Sequence, residues 1–202
     1  PKYLLHKIDR LNEWRRRLSV LLKFGKKATA TTNLDDLLHL LVEEAKAVLK
    51  AERATVFIGD RKKNELWSKV ASGTQTIHTP LNKGIAGAVA TSGKLLNIKD
   101  AYQDTRFNPE VDKQTGYRTR SLLTVPMYNT NNEVIGVFQV LNPTTSASFD
   151  HQDEELLSLL ADQAAGDVEN AQLYQQVRKG AQETIIRLAA AVEYKDHDTR
   201  AH

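Results

Sequence analysis

The residues best suited to chemistry gather between Asn82 and Asn142. The stretch opens on a glycine-spaced helix entry, Lys83-Gly84-Ile85-Ala86-Gly87. It runs through a polar segment rich in Asp, Asn and Thr over 100–116 and closes on two apolar strands expected over 121–128 and 133–141. Polar chain of that length between a helix and a sheet has the makings of a lid over a small-molecule pocket. Catalytic chemistry is poorly served. Gly87 to Lys94 imitates a phosphate loop, but the spacing is one residue too long and Leu95 stands where Ser or Thr should hold magnesium. Ser, His and Asp are present without a nucleophile-elbow sequence. The histidines include no i, i+4 pair: His197 and His202 are five apart. Asp153, Glu154 and Glu155 look like paired carboxylates and fit better as first-turn residues of a helix, where its dipole favours negative charge.

The elements that must position this stretch can be read on either side of it. Residues 3–24 read as a helix with Leu4, Ile8, Leu11, Leu18 and Leu22 in a seam that Arg15 interrupts, as in a two-stranded coiled coil. Asn33 reads as an N-cap, followed by Asp35 and Asp36 in the first turn. Leu34, Leu37, Leu38, Leu41, Ala45, Val48 and Leu49 then form one broad apolar face. Strands are expected over 54–58, 65–71 and 75–79, a short helix over 85–91, and extended chain over 95–98. The strands at 121–128 and 133–141 are joined by Asn129-Thr130-Asn131-Asn132, a turn composition. Being the most apolar, they are expected at the centre of the sheet. From Phe149 a helix runs to about residue 195. Its stripe thins after residue 172 to Leu173, Val177, Ala181, Thr184 and Leu188, which suits a partner helix better than a core. The expected class is mixed α/β, an antiparallel sheet with helices packed on one side, flanked by long helices of coiled-coil type.

Composition narrows the function. The chain has no cysteine, which excludes disulfides, zinc–thiolate sites, thiol nucleophiles and thioether attachment of a chromophore. No apolar run approaches the ~20 residues that span a bilayer. Pro1 is not an initiator methionine, so a fragment of a longer cytoplasmic protein is expected. The net charge of +3 is unevenly spread. Residues 1–27 hold nine Lys/Arg against Asp9 and Glu13, giving +7 there and −4 over the remainder. Few aromatics accompany the basic run, and no nucleic-acid partner is expected.

Over residues 33–172 the sequence resembles a GAF domain, in particular those of cyclic-nucleotide phosphodiesterases and cyanobacterial adenylyl cyclases. The resemblance rests on Gly84-Ile85-Ala86-Gly87, Leu96-Asn97-Ile98, Asp100-Ala101-Tyr102, Arg106-Phe107, Val111-Asp112, Thr115-Gly116, Arg118-Thr119-Arg120, Pro126 and Val134-Ile135-Gly136-Val137. It implies the GAF fold and a sensory role. It places the pocket positions of nucleotide-binding members on Thr55, Ala71, Ser72, Ile85, Ala86, Asn108, Asp112, Thr115, Thr119 and Gln139. Ile85 and Ala86 offer N–H groups at a helix start, suited to a phosphate. Ala71 replaces a Phe that stacks on the purine, and Ser72 an Asp that reads the base edge. Asn142, Phe149, Asp153 and Glu154 match a further family signature, but Pro143 stands at its lysine, so the lysine–aspartate bridge that braces the pocket cannot form.

Residues 188–202 resemble the opening of an HD-GYP phosphodiesterase domain, which hydrolyses cyclic di-GMP at two or three metals, Fe or Mn. Glu193 and His197 lie four apart on one helix face and match metal ligands of some members. No complete metal site and no cofactor are expected within 202 residues. The implied organisation is an N-terminal helix over 1–32, a GAF domain over 33–172, a signalling helix over 173–187 and the start of an HD-GYP domain over 188–202. The implied function is the regulatory region of a bacterial signalling protein controlling a cyclic di-GMP phosphodiesterase, with a homodimer formed through both end helices and a small molecule in the pocket. The alternatives are a ligand-free dimerisation module, or a cyclic-nucleotide sensor feeding another output.

Overall fold

The computed structural model describes residues 33–69 and 76–199, together with Arg15 and Thr31. The helix expected over 3–24, and Ala71 and Ser72, therefore lie outside the described residues. Helix α1, Leu34–Leu49, starts where the cap was read: the Asn33 carboxamide oxygen accepts from the Asp35 and Asp36 N–H groups. Its apolar face is buried along its whole length. The helix stops at Lys50, which takes a left-handed conformation and donates its N–H to Lys46.

Six strands follow: β1 (Ala51–Asp60), β2 (Glu65–Lys69), β3 (Thr76–Pro80), β4 (Leu96–Ile98), β5 (Leu122–Tyr128) and β6 (Val134–Pro143). They form one sheet in the order β3-β2-β1-β6-β5-β4, antiparallel throughout. The central pair is β1–β6, not β5–β6. Strand β1 runs three residues earlier than its apolar core suggested, because Ala51 and Arg53 continue the ladder opposite Pro143 and Leu141. Glu52 and Arg53 are exposed at that end of the sheet, so polar residues disguised strand.

Strand alternation divides the core in two. Val56, Ile58, Leu123, Val125, Phe138 and Val140 face α1 and the first part of α4, His151–Thr199. Phe57, Leu66 and Val137 face the opposite way, against α2, Gly84–Ser92. Helices therefore cover both faces of the sheet, where the sequence reading put them on one. This helix was expected over 85–91, but it is short, and its buried residues Ile85, Ala86 and Val89 carry little periodic signal of the face it covers. Gly87 lets α2 lie close to the preceding turn, since a Cβ there would sit 2.6 Å from the Leu81 carbonyl oxygen. Gly87→Ala is expected to destabilise the domain by about 1–3 kcal/mol through forced backbone shifts. Gly166→Ala, whose Cβ meets nothing within 4 Å, is expected to stabilise by up to ~1 kcal/mol through helix propensity. Urea midpoints of the two variants check both signs.

Helix α4 has 49 residues and a length of roughly 70 Å at ~1.5 Å per residue. Leu156, Leu157, Leu160, Ala161, Ala164, Ala165, Val168 and Ala171 are buried, and from Leu173 to Ala189 every residue is exposed. The helix thus leaves the domain as one rod. No described helix is long and apolar enough to cross a membrane.

Candidate functional site

The floor of the site is the α2 face of the sheet. Register puts Thr55, Gln139 and Thr124 side by side across β1, β6 and β5. The Gln139 amide Nε2 donates to Thr124 Oγ1 at 2.8 Å. This polar row crosses a face that is otherwise apolar, between the Phe57–Leu66–Val137 cluster and the Ile98–Leu122 cluster. Ser68 of β2 is buried as well.

One wall is the first turn of α2. Gly84, at φ +70°, turns the chain into the helix, and Lys83 caps it without a side-chain bond. Ile85 and Ala86 are buried there. First-turn N–H groups have no acceptor within their own helix, which suits this end to an anion.

The segment 99–120 forms the lid. It holds a 3-10 turn, Ala101–Gln103, and α3, Glu110–Thr115. Asp112 is its anchor, 5% exposed. Its Oδ2 accepts from the Thr119 N–H at 2.6 Å and from the Tyr102 hydroxyl at 3.1 Å, and its Oδ1 accepts from the Thr119 hydroxyl at 2.8 Å. The Tyr102 ring packs against Phe107 at 5.2 Å between centroids, and the Arg118 guanidinium lies 4.5 Å from its centre. Desolvation first, then the bond to Asp112, pushes the Tyr102 phenol above its usual pKa. Tyr102 therefore remains a donor through the neutral range.

A second set of bonds ties the lid's return to the end of the sheet. Asn142, fully buried, has φ 52°. Its Oδ1 accepts from the Arg120 and Ser121 N–H groups at 2.7 and 3.2 Å. Its Nδ2 donates to the Tyr117 hydroxyl, the Arg118 carbonyl and Glu52 at 2.7, 2.9 and 3.0 Å. Glu52 also accepts from Arg120 at 2.7 Å and from the Tyr117 hydroxyl at 2.8 Å, while Arg53 stacks 3.7 Å over the Tyr117 ring. The Arg120 bond, followed by that from Asn142, holds the Glu52 carboxyl at a pKa of about 2. Because that value is depressed, Glu52's contribution to stability is present above the ordinary value of 4.5 and is lost as pH falls towards 2. Burial, then Glu52, pushes the Tyr117 phenol up.

The sequence-derived candidates separate into groups. Thr55 and Gln139 meet on the floor, Ile85 and Ala86 on the wall, and Asp112 and Thr119 within the lid. Asn108 and Thr115 are exposed and serve their own backbone. The Asn108 oxygen accepts from the Glu110 N–H, and the Thr115 hydroxyl donates to the Val111 carbonyl. Ala71 and Ser72 lie outside the described residues. Glu193 and His197 lie on α4, with their side chains outside the description. Pro143 is buried and pairs with Ala51, and the Asp153 carboxylate accepts from the Asp150 N–H at 3.0 Å. The brace of this lid is the Asn142–Glu52–Arg120–Tyr117 cluster. Of its members Asn142 and Arg120 were singled out from the sequence, as motif residues, and Glu52 and Tyr117 were not. Both are ordinary surface types, and only the β1–β6 register brings Glu52 to the others.

The model of the GAF domain family matches residues 33–168. The dual 3',5'-cyclic-AMP and -GMP phosphodiesterase 11A of Takifugu rubripes is 39% identical over 146 residues, covering 65% of this chain and 16% of that protein. The probable 3',5'-cyclic phosphodiesterase pde-5 of Caenorhabditis elegans is 31% identical over 170 residues, covering 77% and 23%. This chain therefore spans less than a quarter of either relative. Among solved structures, the GAF domain of a phosphoenolpyruvate-protein phosphotransferase from Coxiella burnetii superposes with a TM-score of 0.67 at 21% identity, covering 82% of this chain and 96% of that one.

Proposed function

The chain belongs to the GAF domain family, and from that premise we propose that residues 33–172 are a small-molecule sensor whose signal leaves along α4. The observation that carries this reading is the lid. Asp112, Thr119 and Tyr102 hold a polar segment closed by bonds internal to it. On the α2 face of the same sheet lie the Thr55–Gln139–Thr124 row and the first turn of α2. An anion-suited helix start beside a polar floor fits a phosphorylated heterocycle. A cyclic mononucleotide is the favoured ligand, in line with the phosphodiesterase relatives. The output we propose is a cyclic di-GMP phosphodiesterase of HD-GYP type in a bacterial cytoplasmic protein. It rests on the similarity of residues 188–202, with Glu193 and His197 as ligands of its metals. A ligand shifts that output only through different affinities for two states.

Homodimerisation through the end helices is part of the proposal. Leu173, Val177 and Leu188 are 57%, 72% and 63% exposed along the part of α4 that has left the domain. That row also supports the second reading, in which the domain is a dimerisation platform without a ligand. Calorimetric titration of the chain with cyclic AMP, cyclic GMP and cyclic di-GMP separates the two. Heat and a raised melting temperature with a mononucleotide are expected. Silence with all three would leave the platform reading. Sedimentation at tens of micromolar should show a dimer, and a monomer there would remove the helix pairing.

A further inference from the structure

A concave surface lies between Leu95 and the first turns of α4. It is a groove of about 430 Å³ with Leu95 and Leu159 on its apolar floor and Glu154, Glu155 and Asp162 around it. These leucines are 37% and 45% exposed in the single chain. His151 also lines the groove, 3.0 Å from Glu154 and 3.5 Å from Glu155, and the remaining charge around it is acidic. From Ser121 to Val177 the sequence has no Lys or Arg, while Asp150, Asp153, Glu154, Glu155, Asp162, Asp167 and Glu169 fall within twenty residues of one another. The opposite excess is the +7 of residues 1–27, nine Lys/Arg less Asp9 and Glu13.

We propose that the groove receives the N-terminal segment, residues 3–24, of a second copy, reciprocally across a two-fold axis. This rests on the dimer reading above and replaces one part of it: the segment pairs with the partner's α4 and not with its own copy. Arg15 argues against the parallel form of the self-pairing. Leu4, Ile8, Leu11, Arg15, Leu18 and Leu22 follow one seam at steps of four and three. In a parallel, in-register pair of these helices Arg15 would meet the Arg15 of the partner subunit, a like-charge contact inside an apolar seam. Laid on the groove, the leucines of the seam meet Leu95 and Leu159, and Arg15 and Arg16 meet Glu155 and Asp162. Arg15 is helical and exposed within one chain, and the groove is open. Both are what a site filled by another copy requires. A closed isologous exchange uses each groove once and leaves neither over.

The chain has no cysteine, so a single introduced thiol reports the groove. Leu159→Cys in the full chain is labelled with a maleimide and compared with Asn131→Cys in the exposed β5–β6 turn. At dimer concentrations labelling of Leu159→Cys should be slowed by about tenfold or more, corresponding to ~1.4 kcal/mol of docking. It should speed up on dilution and in high salt, which screens exposed charge. Adding Arg15→Glu and Arg16→Glu should restore fast labelling while sedimentation still shows a dimer through α4. Combining these with Glu155→Lys and Asp162→Lys should slow labelling again. Fast labelling in a demonstrated dimer overturns the proposal. So does slow labelling that ignores the arginine changes, which would mean that α4 itself covers the groove. Slow labelling independent of concentration would mean that the same chain's segment fills it, and overturns the second-copy assignment. A monomer in sedimentation fails the dimer reading first and is seen separately.

Discussion

Asn142→Ala should lower the unfolding free energy by about 3–5 kcal/mol. The side chain is fully buried and accepts from two backbone N–H groups, those of Arg120 and Ser121. Leaving a buried donor without a partner costs about 1–3 kcal/mol each. A further ~1 kcal/mol comes from putting a Cβ-bearing residue without a local bond at φ 52°. Asn142→Gly relieves the backbone term and keeps the loss of bonds, so it should fall about 1 kcal/mol short of the alanine cost. Asn142→Asp keeps the acceptor but sets a carboxylate beside Glu52 and deletes the donor to Tyr117 and Arg118. It should be as damaging as alanine at neutral pH. Glu52→Gln should cost only ~1 kcal/mol or less, because Glu52 and Arg120 are partly solvent-exposed and screened. Urea unfolding of the four variants orders them. A cost under 1 kcal/mol for Asn142→Ala would mean that the lid's return segment is held by something else, and the clasp would lose its role.

What the sequence disclosed and what it withheld follow from the range of each signal. Helix α1 was legible because Asn33, the two aspartates and the leucine spacing are local and agree with one another. The β5–β6 hairpin was legible for the same reason, although its bulge was not: Met127 pairs with Gly136 and Tyr128 with Val134, leaving Ile135 between them. Helix α4 was seen as one long element, and its exposed half was read from the thinning of its stripe. Glu52 was invisible. Nothing near it in the chain distinguishes it from any surface glutamate, and its partners lie 65, 68 and 90 residues away. The residues of the floor and lid could be matched by resemblance, but periodicity says nothing about whether Asp112 points at a ligand or at its own lid. All three of its bonds lie inside the lid. Likewise Pro143 signalled a missing brace without showing that Asn142, one residue earlier, supplies another.

The bonds of Asp112 make the lid itself the second large prediction. An asparagine at 112 has one acceptor oxygen where the carboxylate uses two. It can keep the Thr119 N–H and Tyr102 hydroxyl bonds that Oδ2 accepts, or the Thr119 hydroxyl bond that Oδ1 accepts, and its amide hydrogens then face a group that was donating. About 2–3 kcal/mol of lid stability should go, one buried donor's worth or slightly more. Because the lid is an extension on one face of the sheet, most of that loss should be local opening, not global unfolding. Backbone amides over 100–120 should then exchange roughly 30- to 150-fold faster in Asp112→Asn, with β1 and β6 amides little changed. Thr119→Val removes one hydroxyl and keeps the 2.6 Å backbone bond, so its effect on exchange should be nearer fivefold, about 1 kcal/mol. If a cyclic mononucleotide binds beneath a closed lid, its apparent Kd should rise in both variants. The rise should follow the fraction of lid lost, since affinity falls in proportion to the population of the competent state. A variant that loses binding with unchanged lid exchange would show Asp112 touching the ligand directly. One that melts as a whole, with lid and sheet amides accelerating together, would show that the lid is not a separate unit, and a sensor that works by opening it could not be built on this fold.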